Sequence, residues 1–202
     1  IPAVKRGLVK KAFAVEPEAK NFQLLKTNIV LNNLEEKILA YNCALSKNDD
    51  EIVNMELAID NAGDHRIKKE TKFNIHDEEK RKKIKVKTKK FDTLFKNINS
   101  EKDLIWMDTQ GHEADILLGA DNLLNSKTPI VIEFWPYALK RNNMWETMLK
   151  LIKRFDYVVD LSRDNLEAQE ASEKNLNNLI HGWDEEKKNK HSLFTDLLLL
   201  KE

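Results

Sequence analysis

The sequence predicts an α/β domain with a mostly parallel sheet, and three observations carry that prediction. Apolar runs of strand length alternate with helical patterns along most of the chain. Two of those runs end in an acid followed at once by a helix start: Ala12-Phe13-Ala14-Val15 into Glu16, and Leu104-Ile105-Trp106-Met107 into Asp108. The last two apolar runs, 156–161 and 194–200, have no crossover helix of normal size packed between them, which predicts an antiparallel closing pair.

Taken in order, the strand-like runs fall at 12–16, 37–45, 51–59, 84–88, 103–108, 129–135, 156–161 and 194–200. Helical patterns fall at 18–33, 91–98, 112–125, 143–154 and 165–178. The first helix follows Pro17, a residue suited to a first helical position. Its apolar residues Phe22, Leu25, Ile29 and Leu34 keep helical spacing, and Asn32-Asn33 supplies the stop. The 112–125 pattern places Ala114, Ile116, Leu117, Ala120, Leu123 and Leu124 on one face. The 129–135 run is apolar except for Glu133, and a carboxylate there needs a partner or a cleft.

Residues 60–90 stand apart as a basic insertion or lid within a single domain spanning 1–202. Residues 66–90 hold twelve Lys or Arg against four acids, and 84–89 alternates like a strand with one solvated face. Such a run is a solvated surface, or an electropositive lid for an anionic substrate such as a sugar phosphate or an acidic glycan. Few aromatic residues interleave with the charges, so stacking platforms for nucleic acid are not expected.

A length of 202 residues suits one α/β domain, and 41% apolar with 34% charged residues suits a globular one. Lys+Arg and Asp+Glu are equal at 34 each, so overall charge gives no push toward nucleic acid or an anionic membrane. The apolar runs are too short to span a bilayer. One cysteine, Cys43, forbids an intrachain disulfide and fits a reducing compartment, so we expect a cytoplasmic protein. One Cys and five scattered His give no paired metal-ligand spacing, and no metal site is expected. Phosphate-loop and nucleophile-elbow signatures do not occur.

Glu16 lies just past a strand, where ligands bind in open α/β sheets, and its two oxygens can accept from both hydroxyls of a ribose. The other reading is a surface acid before a helix start. Asp108 has the matching position on the second unit, with a helix cap as its other reading. Glu113 reads as a first-turn acid facing the helix dipole. Gly111 reads as the tight turn between strand and helix.

The segments AFAVEPEAKNFQLLKTNIVLNNL, YNCALS, NAGDHRI, VKTKKFDTLF, DLIWMDTQGHEADILLGADNLL, PIVIEFWP and FTDLLLLK cover most of residues 12–200. In that order they resemble the FkbM-type methyltransferases, a family dependent on S-adenosylmethionine. The resemblance implies a Rossmann-like class I methyltransferase sandwich and O-methylation of a sugar or other small hydroxyl-bearing acceptor, with no nucleic acid or membrane as partner. It assigns Glu16, Pro17, Asn42, Cys43, Ala44 and Asp108 to the cofactor. It places Asp108 beside the reacting methyl group and the Asp64-His65-Arg66 loop near the substrate entrance, so Asp108 and His65 are catalytic candidates and Asp64 and Arg66 acceptor candidates. His112 joins the catalytic candidates by its intrinsic pKa, and Gln110 and Glu133 join the acceptor candidates from their places at the strand ends.

One departure stands out. The family carries a glycine-rich loop after its first strand, whereas Gly7, Gly63, Gly111, Gly119 and Gly182 are scattered here. The expectation is a chain that starts after that strand, with the first strand missing and the cofactor poorly held by these residues alone. Two rivals remain: another adenosine-cofactor α/β enzyme such as a dehydrogenase, which would also use Glu16 on a ribose, and a non-catalytic methyltransferase-like module acting through its basic face.

Overall fold

The computed structural model describes residues 1–69, 80–178 and 193–202, so part of the basic 60–90 segment lies outside the described residues. Helices and strands do mix along the chain. A short helix α1 (Pro2–Lys5) leads into β1 (Ala12–Val15) and α2 (Ala19–Leu31). Then come β2 (Ile38–Tyr41), β3 (Ala44–Leu45), β4 (Ile52–Leu57), a 3-10 turn (Ala62–Asp64), β5 (Arg66–Ile67) and β6 (Lys82–Lys89). The second half holds α3 (Phe91–Leu94), β7 (Ile105–Met107), α4 (Glu113–Leu117), α5 (Asp121–Asn125), β8 (Ile130–Phe134) and α6 (Pro136–Arg141). It closes with α7 (Trp145–Ile152), β9 (Tyr157–Asp160), β10 (Ala168–Glu170) and β11 (Thr195–Leu200).

The strands form three sheets among the described residues: β1-β2, then β10-β9-β11-β8-β7, then β3-β6-β4-β5. A mostly parallel sheet is not what these pairings make. β1–β2, β3–β6 and β7–β8 run parallel, while β4–β5, β4–β6, β8–β11, β9–β11 and β9–β10 run antiparallel. The reason is local. β11 returns between β8 and β9, antiparallel to both, which is the closing pair the last two runs predict. The basic strand β6 sits between β3 and β4, so it forms the middle of its own sheet. Among the described residues β1 pairs only with β2, and β7 only with β8.

The main core lies between the five-stranded sheet and the helices after β7. Ile130, Ile132, Phe134, Leu197 and Leu199 are fully buried there, against Leu117, Leu123, Leu139, Met148 and Ile152. Phe95 ties the β1–β2 pair to it, with ring centroids 5.7 Å from Phe13 and Tyr41 and 4.9 Å from Phe91. Such tilted and edge-on contacts among four rings add to the burial of Phe91, the one of the four that is buried.

Several elements depart from the sequence expectation for identifiable reasons. The 37–45 run splits because the Asn42 side chain donates to the carbonyls of Glu16 and Pro17, after which the chain crosses to another sheet. The 112–125 helix breaks at Gly119, where a Cβ would stand 2.3 Å from the Ser46 carbonyl oxygen. Asp92 repairs the break, its backbone N–H donating to the Gly119 carbonyl and its side chain accepting from Asn122 N–H. The 165–178 helix is wrong in its first half. Residues 168–170 are strand β10 along β9, and helix begins only at 173, after Ser172 Oγ accepts the N–H of Asn175. The 91–98 helix stops at Leu94 as Phe95 turns its ring toward the β1–β2 pair. Pro17 precedes the helix by two residues rather than opening it; Glu18 is the cap, accepting from Asn21 N–H at 2.7 Å. The expected stop holds, with Asn33 at φ 54°.

Candidate functional site

β7 ends at Met107, and the chain must then reverse into α4 within five residues. Gln110 (φ 55°) and Gly111 (φ 92°) take consecutive left-handed conformations to do it. Gly111 has no substitute here, since a Cβ would lie 2.4 Å from that of Ala138. Glu113 ties the loop: its Oε1 accepts from Thr109 N–H and Thr109 Oγ, each at 2.8 Å. The Asn142 side chain holds the other side, donating to the Gly111 carbonyl at 2.9 Å. Glu113 thus anchors the turn from within, while His112 occupies the cap position of α4 without a capping side-chain bond. Asp108 is not a helix cap.

This loop brings Asp108, Gln110 and Glu133 together. The Gln110 amide nitrogen donates to Asp108 Oδ1 at 2.8 Å and to Glu133 Oε1 at 3.1 Å. Glu133 is 5% exposed, and its Oε2 has no hydrogen-bond partner among the described residues. Burial, with the Asp108 and Glu113 carboxylates adding to it, pushes the Glu133 carboxyl up to about 8. Asp196, directly across from Glu133 in the β8–β11 register, is pushed up as well, by burial and then by Asp108. Sequence reasoning missed Asp196, although it interrupts an apolar strand just as Glu133 does.

The Glu16 rim forms a second group. Glu16 Oε1 accepts the backbone N–H of Glu18 at 2.8 Å, and partial burial raises its carboxyl. Pro17 lies between these two acids, and Asn42 binds the chain on either side of the Glu16–Pro17 peptide. Cys43 is buried, its thiol pushed up by that burial against the opposing influence of Lys89. Ala44 packs with Met55, Ile67 and Val86 in the core of the β3-β6-β4-β5 sheet. Among the described residues no hydrogen bond or ion pair joins Glu16 to the Asp108 cluster.

The Asn61–Arg66 stretch sits against the start of α2, where the Asn21 side chain donates to the Ala62 carbonyl. Its charged groups bond to one another. Asp64 Oδ1 accepts from Arg66 Nε and Nη2 at 2.8 and 2.6 Å, and Asp64 Oδ2 accepts from Arg81 Nη2 at 2.5 Å. Arg66 also lies over the Trp135 ring, 4.6 Å from its centroid. His65 Nδ1 accepts the Ala58 N–H at 3.0 Å, so the neutral ring carries its proton on Nε2. In that tautomer it is a donor, not a base.

His112 stands apart from the acid pair, in the wall of a cleft. The ring is 4% exposed, and Nδ1 is 3.6 Å from Asp115 Oδ2. Burial first, then Lys69 and Lys47, hold its pKa down at about 4 against the opposing Asp115 carboxylate. The Leu45 carbonyl faces the ring and also opposes the shift, yet neither ring nitrogen makes a hydrogen bond of ordinary geometry. Among the described residues no group of three or more His, Cys, Asp or Glu is gathered as a metal site, and no helix is long and apolar enough to cross a membrane.

Residues 2–159 match the family model of the methyltransferase FkbM domain. No curated protein and no solved structure gives a match.

Proposed function

The chain belongs to the FkbM methyltransferase domain family, and we propose that it methylates a hydroxyl oxygen on a sugar or other small acceptor with S-adenosylmethionine. The observation that carries this reading is the acid pair at the end of the β7–β8 unit, bridged by Gln110, with one oxygen of Glu133 left unbonded among the described residues. S-adenosylmethionine supplies an electrophilic methyl on a sulfonium, so the protein's task is alignment of the acceptor and removal of its proton.

The residues fit the nucleoside end of that cofactor. Glu16 has one oxygen committed to the Glu18 N–H, and its Oε2 has no partner among the hydrogen bonds of the described residues. That leaves it able to take ribose hydroxyls. Asn42 and Cys43, at the end of β2, border the same rim for the adenine. For the methionine end the five scattered glycines provide no glycine-rich loop.

Asp108 receives or orients the acceptor hydroxyl, at the end of the strand that carries it. Glu133 retains a proton near neutral pH and can exchange it there, the property wanted in a group that manages a hydroxyl proton. With the cofactor bound, its sulfonium would supply the methyl group and leave as the thioether, and the acceptor's hydroxyl proton would pass to Asp108, since Glu133 already holds one. A Rossmann-like sandwich and a cytoplasmic setting belong to the same reading, supported by the α/β order of elements and by the free, buried Cys43.

The test is the release of S-adenosylhomocysteine in the presence of hydroxyl-bearing acceptors, with thermal shifts measured against S-adenosylmethionine and against NAD. Stabilisation and turnover with the sulfonium support methyl transfer. Stabilisation by NAD alone would replace it with the dehydrogenase alternative.

A further inference from the structure

The loop that carries Asp108 also walls a concavity of about 400 Å³, lined among others by Lys47, Lys68, Lys69, His112, Asp115 and Asn143. That volume falls within the roughly 300–1,000 Å³ of small-molecule sites. Two things about it call for a ligand. His112 is almost completely buried, and among the described residues neither ring nitrogen makes a hydrogen bond of ordinary geometry, although Asp115 and the Leu45 carbonyl face the ring. Buried polar groups are nearly always bonded, and leaving one unmet is costly. A neutral imidazole offers one donor and one acceptor, which is the complement of a hydroxyl group.

The charges around it are unequal in their commitments. Lys69 is paired with Asp115, and Lys68 with Glu56 at 3.2 Å. The other lining carboxylate, Glu51, accepts from the Asn48 side chain at 2.9 Å. Lys47 is exposed and makes no ion pair among the described residues. Its ammonium and the neighbouring Lys69 both bear on the His112 ring. A ligand there meets a hydroxyl-matching group at the bottom and ammonium groups at the edge.

We propose that this cleft binds an acidic sugar, with a ring hydroxyl on His112 and its phosphate or carboxylate between Lys47 and Lys69. The proposal rests on the methyltransferase reading in one respect: the bound sugar is the acceptor, because only Gln110 and Gly111 separate His112 from the Thr109 end of the Asp108 turn. A neutral sugar leaves the Lys47 ammonium unused, and a bare anion leaves His112 unmet.

The experiment is calorimetry on the whole chain without any methyl donor, using glucose 6-phosphate, glucuronic acid, glucose and inorganic phosphate. At least one of the acidic sugars should bind one to one, with glucose and phosphate each at least tenfold weaker. His112→Leu and Lys47→Ala should each weaken the acidic sugar tenfold or more. Lys47 is exposed, so that variant keeps its fold even if His112→Leu does not. Equal binding of glucose or of phosphate, no binding of either acidic sugar, or full affinity in Lys47→Ala would overturn the proposal. Because no methyl donor is present, the two readings fail separately. Binding without turnover would remove methyl transfer and keep this site, whereas turnover of neutral acceptors undisturbed by Lys47→Ala would do the reverse.

Discussion

The side-chain nitrogen of Gln110 lies 3.1 Å from Glu133 Oε1, joining the loop after β7 to the strand beside it across 23 residues of sequence. The same nitrogen holds Asp108, so one amide keeps two carboxyl groups close at the edge of the sheet. Like charges held close in a low-dielectric site do not both ionise easily, and Glu133 is the one that keeps its proton.

This arrangement makes stability fall as the pH rises. In the unfolded chain Glu133 ionises near its ordinary 4.5, and in the folded protein near 8. Between those values the folded state holds a proton that the unfolded state has released, so raising the pH favours unfolding, by up to about 1.4 kcal/mol per pH unit. Burial of Glu113 and Asp196 acts in the same direction. His112 acts oppositely: its pKa drops from 6.5 to about 4 on folding, so its contribution rises with pH across that window and is complete above it. The melting temperature should therefore change little on the acid side and fall between about pH 6.5 and 8. Glu133→Gln should flatten the alkaline fall. Melting curves across pH for both proteins check this, and an equally steep fall in the variant would place the proton elsewhere.

Asp64 is expected to matter for folding before it matters for any acceptor. Its two oxygens hold Arg66 and Arg81, which are 4% and 9% exposed. Asp64→Asn removes the charge that both guanidinium groups bond and should cost about 1–3 kcal/mol, somewhat less than a fully buried pair because the Asp64 side chain is partly exposed. Chemical denaturation measures it. A variant as stable as the parent but slow in turnover would return Asp64 to the acceptor site.

The fold's skeleton was legible wherever a run was long and uniformly apolar. Ile130–Phe134 and Thr195–Leu200 are strands within a residue or two of expectation, and the expected antiparallel closing pair of the last two runs is β9 with β11. What was not legible depends on partners distant in sequence. Nothing in residues 112–125 announces that Gly119 must clear the Ser46 carbonyl, and nothing in 165–170 announces an open edge on β9 that extended chain can complete. The site follows the same rule. The acids at strand ends could be read directly, since Asp108 and Glu133 each close or interrupt an apolar run. The pairing of Asp64 with Arg81 could not, because Arg81 is brought back by strand β6 starting one residue later. The residue type alone makes His112 a candidate base, whereas its near-complete burial depends on the packing around the cleft.

Cofactor affinity should depend on Glu16. One oxygen is already engaged by the Glu18 N–H, which fixes the carboxylate's orientation at the end of β1. Loss of charge-assisted hydrogen bonds to a ribose, at about 1.5–3 kcal/mol each, weakens binding by one to several powers of ten. Calorimetry with S-adenosylmethionine on Glu16→Ala and on the parent chain is the comparison. Measurable binding by the parent that the substitution leaves unchanged would remove Glu16 from the site.

Asp108 should matter more for turnover than for folding. It closes the strand Ile105–Met107 and is bonded by the Gln110 side chain, but the cap of the following helix is His112 and the loop is anchored by Glu113. The tasks that hold the turn together therefore fall to other residues. Asp108→Asn keeps an oxygen for Gln110 to donate to and removes only the charge. The melting temperature should move by little. The rate of methyl transfer should fall by about a hundredfold or more if this carboxylate positions or deprotonates the acceptor hydroxyl. The pH profile adds a second readout. Removing the Asp108 charge lowers one of the influences that keep Glu133 protonated, so the alkaline fall in stability should also become shallower. Full activity in the Asn variant, with the pH dependence of stability unchanged, would mean that the acid pair is a packing feature and would take the proposed proton transfer with it.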